Sequence, residues 1–377
     1  MKKRLLKFTT AVFILTLLVS SCKKDDDKTG GGASTGGSGN IDKDKAAIGE
    51  ASSELVNCIG NLQDGKFGDA IEDMTGINAG ETNPEKEEWI EQVLDSLVTV
   101  LDFEEIEDNE RFSLSDYAGN YTYSNSTKSW TKTTNSEGKL VMSFPTESTL
   151  MSNDMKFVIN GYSDELRFNN GTSIGYPKSA DVELFRNNEK IMSVSLSGVE
   201  YEPVEDAQVP VNFNLSVFIT PFTFDLELDK NSSTSFTGSY SITDGMCKLG
   251  AEATLELEND DLATLFNDGD NIDKAKGNIY INELKVLGEV EVDELAALDD
   301  PSANQLNSLT NFSVENEGVK IADLVFYDKT DTVYNDTYTS MNVIYSDGSK
   351  EDIEDAYYNL FIEDLEAEIA DWTGDID

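Results

Sequence analysis

The chain has 377 residues, with 28 Lys+Arg against 73 Asp+Glu, no histidine and a formal net charge of −45. A surface this acidic repels nucleic acid and anionic lipid headgroups, which excludes a polyanionic partner. Without imidazole there is no Ser-His-Asp or Cys-His nucleophile and no histidine acid–base chemistry, and three cysteines are too few for a thiolate zinc cage. No P-loop is present, and no Gly-x-Gly-x-x-Gly follows a strand pattern. A glycosidase needs only two carboxyl groups, but 73 acidic residues single out no pair. The expectation is a non-enzyme, with a carboxylate-only glycosidase as the enzymatic alternative.

At the N-terminus, Lys2, Lys3, Arg4 and Lys7 precede an apolar run, Ala11 to Leu18, too short to remain in a bilayer as a spanning helix. The small residues of Val19-Ser20-Ser21-Cys22 end it, so residues 1–21 read as a signal peptide. That tetrapeptide resembles the lipobox, which implies cleavage before Cys22 and a diacylglycerol on its sulfur. Cleavage removes four cations, leaving 356 residues and a net charge of −49. The run Lys23, Lys24, Asp25, Asp26, Asp27 resembles the lipoprotein export signal of Bacteroidota. That resemblance implies an outer-membrane lipid anchor with the body facing the cell exterior. Thr29 to Gly39 is mainly Gly, Ser and Thr, so residues 22–40 read as a flexible tether.

No Gly/Pro-rich linker interrupts residues 41–377, which read as a single elongated domain whose halves meet near 205–235. Ile48, Ala51, Leu55, Ile59 and Leu62 share a helical face. Asn83-Pro84-Glu85 starts a second helix, with Trp89, Val93, Leu97 and Leu101 on its stripe. From Tyr117 the period becomes two, with strands expected at Leu140–Phe144, Lys156–Ile159, Asp181–Phe185 and Ile191–Tyr201. Apolar positions are odd from Val211 to Ile219 and even from Phe222 to Leu228, which places a turn or bulge at Thr220-Pro221. Further strands are expected over Leu249–Leu257, Leu284–Val292, Val319–Tyr327 and Met341–Tyr345, with short helices at Asp293–Leu298 and Ser302–Leu309. A last helix spans about Glu351 to Trp372, one face apolar and the other acidic. Tyr117–Thr122 and Phe236–Ser241 resemble each other, a faint mark of duplication. Strands with one wet face are antiparallel. The expected class is α+β: a large, curved, half-barrel-like antiparallel sheet with the N-terminal and C-terminal helices packed on it. This layout is similar, at the level of fold, to the LolA-like lipoprotein carriers.

Four groups of residues are candidate sites. Tyr121, Tyr123 and Trp130 form either an aromatic platform for glycan or a cross-strand cluster covering a core. Asp268, Asp270 and Asp273 surround a glycine with hard oxygens, which suits calcium, although the spacing departs from an EF-hand and equally fits an acidic turn. Cys58 and Cys247 are either bridged or two buried small apolar groups. Asp95-Ser96-Leu97 and Asp331-Thr332-Val333 resemble the O-glycosylation motif of Bacteroidota, with Ser96 and Thr332 as acceptors. Apart from calcium no cofactor is expected. The favoured role is non-catalytic binding of glycan or protein. The alternatives are a lipid-carrying half-barrel and a fimbrial subunit; the apolar terminal helix argues against the latter, since strand donation needs an extended terminus.

Overall fold

A computed structural model describes residues 40–63, 77–78, 81–82, 113–169, 172–204, 207–267, 271–299, 301–331 and 336–358. The signal peptide, Cys22, the tether, the helix expected after Asn83, Ser96, Asp268, Asp270, Thr332 and everything past residue 358 lie outside the described residues.

The elements begin with α1 (Ile41–Gln63), β1 (Ile77–Asn78), β2 (Glu81–Thr82), α2 (Leu114–Tyr117), β3 (Gly119–Ser124), β4 (Ser129–Thr133) and β5 (Leu140–Phe144). Long strands follow: β6 (Met155–Asn169), β7 (Thr172–Arg186), β8 (Glu189–Val204), β9 (Ala207–Ile219) and β10 (Phe222–Ser232). Then come β11 (Ser235–Thr243), β12 (Lys248–Leu257), α3 (Leu262–Asn267), β13 (Ile272–Ile281), β14 (Leu284–Glu291), α4 (Val292–Ala296) and α5 (Ala303–Leu309). The last are β15 (Thr310–Asn316), β16 (Val319–Asp331), β17 (Asp336–Tyr345), β18 (Lys350–Asp352) and α6 (Ile353–Tyr358).

Strands make up 62% of the structure and helices are few, so the expected α+β balance is corrected to a mostly β fold with a large, open, antiparallel-rich sheet. Strand order follows the chain from β18 back to β5 and ends β5-β3-β4. The inversion arises because β4 folds back on one edge of β3 and β5 takes the other. It makes β3 and β5 parallel, an exception to the expected antiparallel pairing. Chain contacts group the residues into two compact units, a first within 1–59, 229–240 and 247–373 and a second within 60–228 and 241–246.

The second unit holds β3 to the start of β10. Cross-strand partners share a face, so the register shows how its apolar side is built. Tyr121 faces Met142, Met142 faces Phe157, Phe157 faces Leu184 and Leu184 faces Met192. The stripe continues through Ile219 to Phe222 across the Thr220-Pro221 turn, which accounts for the change from odd to even apolar positions. The opposite face carries Asp181 and Glu183 on β7, Ser193 and Ser195 on β8, and Ser216 and Asn214 on β9.

In the first unit, Ile48 and Ala51 of α1 belong to a core cluster with Leu284, Val314, Ala322, Val343 and Tyr345 from β14 to β17 and Tyr357 of α6. A second cluster joins Ala303 and Leu306 of α5 to Phe326 and Met341. Ser302 starts α5 with a reciprocal capping box to Gln305, satisfying two otherwise orphaned groups. Cys58 and Cys247 are bridged, with Cα atoms 5.9 Å apart across 189 residues of sequence, so α1 is covalently tied to the start of β12. Strands β13 and β15 were not expected from the sequence.

Candidate ligand-binding face

The aromatic trio is not a platform. Tyr121, Tyr123 and Trp130 keep only 1%, 4% and 8% of their surface, and Leu114 and Tyr117 of α2 pack against them. The Tyr123 and Trp130 rings meet edge to face at 5.4 Å, and the Tyr121 hydroxyl donates to the Tyr117 carbonyl at 2.8 Å. A buried ring cannot stack on a sugar, so these residues are core.

Of the expected calcium ligands, Asp273 is described; it is an exposed residue on β13 rather than a loop ligand. Its neighbour Asn271 is buried, its amide donating to the Asn259 and Asp261 carbonyls, while Oδ1 has no partner among the described residues. Among the described residues no group of three His, Cys, Asp or Glu side chains is arranged to hold a metal.

A different set of side chains comes together on the polar face of the second unit, where β6 to β9 run past the apolar stripe. Glu165 of β6 is the cross-strand partner of Tyr176 on β7, and Arg167 stands two residues along, so the three share a face. On the neighbouring pair Tyr201 faces Pro210, and Pro203 faces Gln208. Register shifts at Ser163–Asp164 and Glu200–Tyr201 re-aim the strands locally. The Tyr176 and Tyr201 rings contact edge to face at 5.2 Å, and the Arg167 guanidinium lies over the Tyr201 ring at 5.7 Å. Arg167 Nε donates to Glu165 Oε1, and Nη1 donates to Gln208 Oε1 at 2.9 Å. The Tyr201 hydroxyl donates to the Pro177 carbonyl at 2.8 Å, and Lys178 Nζ lies 3.6 Å from Glu165 Oε2. On the other face of β8 from Tyr201, Asn212 donates to Glu200 at 2.6 Å.

The group is held rigidly yet open to solvent, with Arg167, Glu165 and Lys178 keeping 28%, 32% and 34% of their side-chain surface. The Arg167 hydrogen bond holds the Glu165 carboxyl below its ordinary range, and burial followed by the Glu165 charge pushes the Tyr201 phenol up. At neutral pH Glu165 is therefore charged and Tyr201 is protonated. Among the described residues, Arg167 Nη2, Gln208 Nε2 and the Tyr176 hydroxyl make no hydrogen bond. Two rings, a pinned guanidinium and these three polar groups thus lie together on a partly exposed surface.

The first unit carries denser polar networks that serve packing. Glu351 accepts from Lys45, Tyr345 and Tyr357, the two phenols bond to each other, and the Lys45 ammonium lies 5.2 Å over the Tyr345 ring. Lys329 reaches Asp352, Glu354 and Asp355 at 3.0, 3.2 and 3.2 Å, and Tyr327 also donates to Asp352. Burial works against the Glu351 and Asp352 charges, but their hydrogen bonds outweigh it and hold both carboxyls below the ordinary range. Burial pushes the Tyr345 phenol far up and the Tyr357 phenol to about 12.

Reading the sequence alone missed the Arg167 group. The apolar alternation fades at Ile159 and Asp181, whereas β6 runs on to Asn169 and β7 begins at Thr172. Tyr176 and Tyr201 on strand-like segments were the available signal; only the register brings them together. Compared with protein-family models, curated proteins and solved structures, the chain has no match.

Proposed function

We propose that this chain is a lipid-anchored protein of the outer-membrane surface. It binds extracellular glycan or protein, without catalysing a reaction on it, through the polar face of β6 to β9. The half-exposed Arg167–Tyr176–Tyr201 group carries the binding reading, because its polar groups are arranged in advance by one another and lose little freedom on contact. The location rests on the basic start, the apolar run, Cys22 and the acidic residues that follow it. Affinity electrophoresis through gels containing polysaccharide or extracellular protein tests the binding. Retardation abolished by Arg167→Ala with an unchanged melting temperature supports it; no retardation in any gel refutes it. For the location, Cys22→Ala should release the protein from membranes, and protease added to intact cells should degrade the unaltered protein.

A second reading, lipid carriage by a curved half-barrel with helices on its concave side, draws on the apolar stripe opposite this face. Leu226 on that stripe keeps 44% of its surface. Native mass spectrometry of gently purified protein decides it, since a carrier retains lipid through several preparations.

A further inference from the structure

We infer that the far end of β6 is a self-association edge, where a second copy of this chain adds its own β6, antiparallel, about a two-fold axis at Leu166. This goes beyond the ligand-binding role and does not depend on it. Strand β6 pairs with β5 only as far as Ile159 but with β7 as far as Asn169. Among the described residues its other edge is therefore open from Gly161 to Asn169. The extra residue Asn160, opposite nothing on β7, bends the strand where it leaves β5. The next register shift inserts Lys178 on β7, so β6 itself runs on without interruption. Other open edges are blunted. Pro177, Pro203 and Pro210 stand on the stretches of β7, β8 and β9 that are registered on one side only, and each lacks a backbone donor. At the ends of the sheet, β4 carries Lys132 and β18 is 3 residues long. Residues 161–169 contain neither Lys nor Pro.

The residues along this edge select the occupant. An antiparallel copy centred on Leu166 sets Leu166 against the partner's Leu166 and Glu165 against the partner's Arg167, the latter twice by symmetry. Leu166 keeps 51% of its surface, and its neighbour on β7 is Gly175, which has no side chain to cover it. The second Leu166 supplies that missing apolar contact. On the opposite face the Glu165–Arg167 pair meets its own reverse, so each carboxylate lies between two guanidinium groups. A two-fold axis one residue to either side would set Glu165 against Glu165 or Arg167 against Arg167, which like-charge repulsion disfavours. At physiological salt the repulsion between two acidic bodies is screened beyond about 8 Å, so the charges along the edge decide the contact.

The test is disulfide trapping of the full-length Cys22→Ala chain in 0.15 M NaCl with a thiol oxidant, read on non-reducing gels. Cys58 and Cys247 are bridged, so one introduced cysteine is the only free thiol. Leu166→Cys lies on the axis and should be trapped at twice the chain's mass, about tenfold more than either of two controls. Met151→Cys replaces a residue that is 77% exposed but lies off this edge. Ser163→Cys lies on the edge, but its two copies would stand about 20 Å apart, too far to bond. Adding Glu165→Arg to Leu166→Cys should cut the trapped fraction about tenfold, and adding Arg167→Glu as well should restore it at the original net charge. An unchanged melting temperature in each variant shows that the fold is kept. Trapping of Leu166→Cys no greater than that of Met151→Cys overturns the inference. Equal trapping of Ser163→Cys, or trapping indifferent to the charge reversal, overturns it too.

Discussion

Asp44 places a carboxylate on the buried stripe of α1, between Ile41 and Ile48 at helical spacing, and among the described residues its Oδ2 has no hydrogen-bond partner. An unpaired buried oxygen costs about 1–3 kcal/mol, more than an acid in the first turns of a helix gains from the dipole. Asp44→Leu should therefore stabilise the protein by about 1–2 kcal/mol, seen as a higher melting temperature; a lower one would mean that the oxygen is satisfied in solution. Gly277 of β13 presents the opposite case. A Cβ there would collide with the Glu252 carbonyl oxygen and come within 2.9 Å of the Ala253 Cα, both backbone atoms with no flexible side chain to yield. Gly277→Ala should cost about 1–3 kcal/mol, while Gly161→Ala, with open space around it, serves as the neutral control. Neither position was legible in the sequence. An acid early in a helix reads as solvated, and a glycine in a polar segment reads as a turn. For Tyr121, Tyr123 and Trp130, period two showed that they share a side but not that Leu114 and Tyr117 cover it.

The disulfide is the clearest case at the scale of the elements. Counting cysteines identified Cys58 and Cys247 as a pair, but nothing local relates residues 189 apart, and only the packing of α1 beside β12 brings them within bonding distance. Closing so long a loop restricts the unfolded chain, so reduction, or Cys58→Ser with Cys247→Ser, should lower stability by about 2–4 kcal/mol. Thermal unfolding with and without reductant measures this, and non-reducing peptide mapping confirms the bridge; an unchanged melting temperature would contradict the expectation. Strands were legible where apolar residues alternate with polar ones, and Leu140–Phe144 is found with the expected bounds. β13 escaped notice because Ala275 and Gly277 stand where large apolar residues normally mark a core face. β15 follows α5 directly, so no break announces it. The polar ends of β6 and β7 escaped for a related reason: cross-strand hydrogen bonds continue after the apolar signal stops. The Arg167 group sits on those polar ends, which is why the candidate site stayed hidden while most strands did not.

For the whole molecule, the mostly antiparallel sheet was legible because its connections are short and each strand pairs with its chain neighbour; the β5-β3-β4 inversion was not, since it depends on which edge of β3 is taken first. The same scale governs the response to pH, where two effects oppose each other. Acidification relieves the self-repulsion of a chain at −45 and so favours the folded state. Against this, Glu351 and Asp352 are held below their ordinary values of 4.5 and 3.8 by bonds that exist only when the chain is folded. A depressed carboxyl contributes stability that is present above its unfolded value and is lost as pH falls through the folded one. Tyr345 and Tyr357 act at the other end. Raised above 10.0 when folded, they contribute stability below that value, lost as pH climbs towards and past about 12. In 0.5 M NaCl, which screens the diffuse repulsion far more than the half-buried network, melting temperature should hold a plateau from about pH 5 to 10 and fall on both sides. Glu351→Gln should lower the plateau and flatten its acid limb, and Tyr357→Phe should flatten the alkaline limb. A melting temperature that instead rises steadily from pH 7 to pH 4 in high salt would mean that general repulsion, rather than this network, sets the acid stability of the fold.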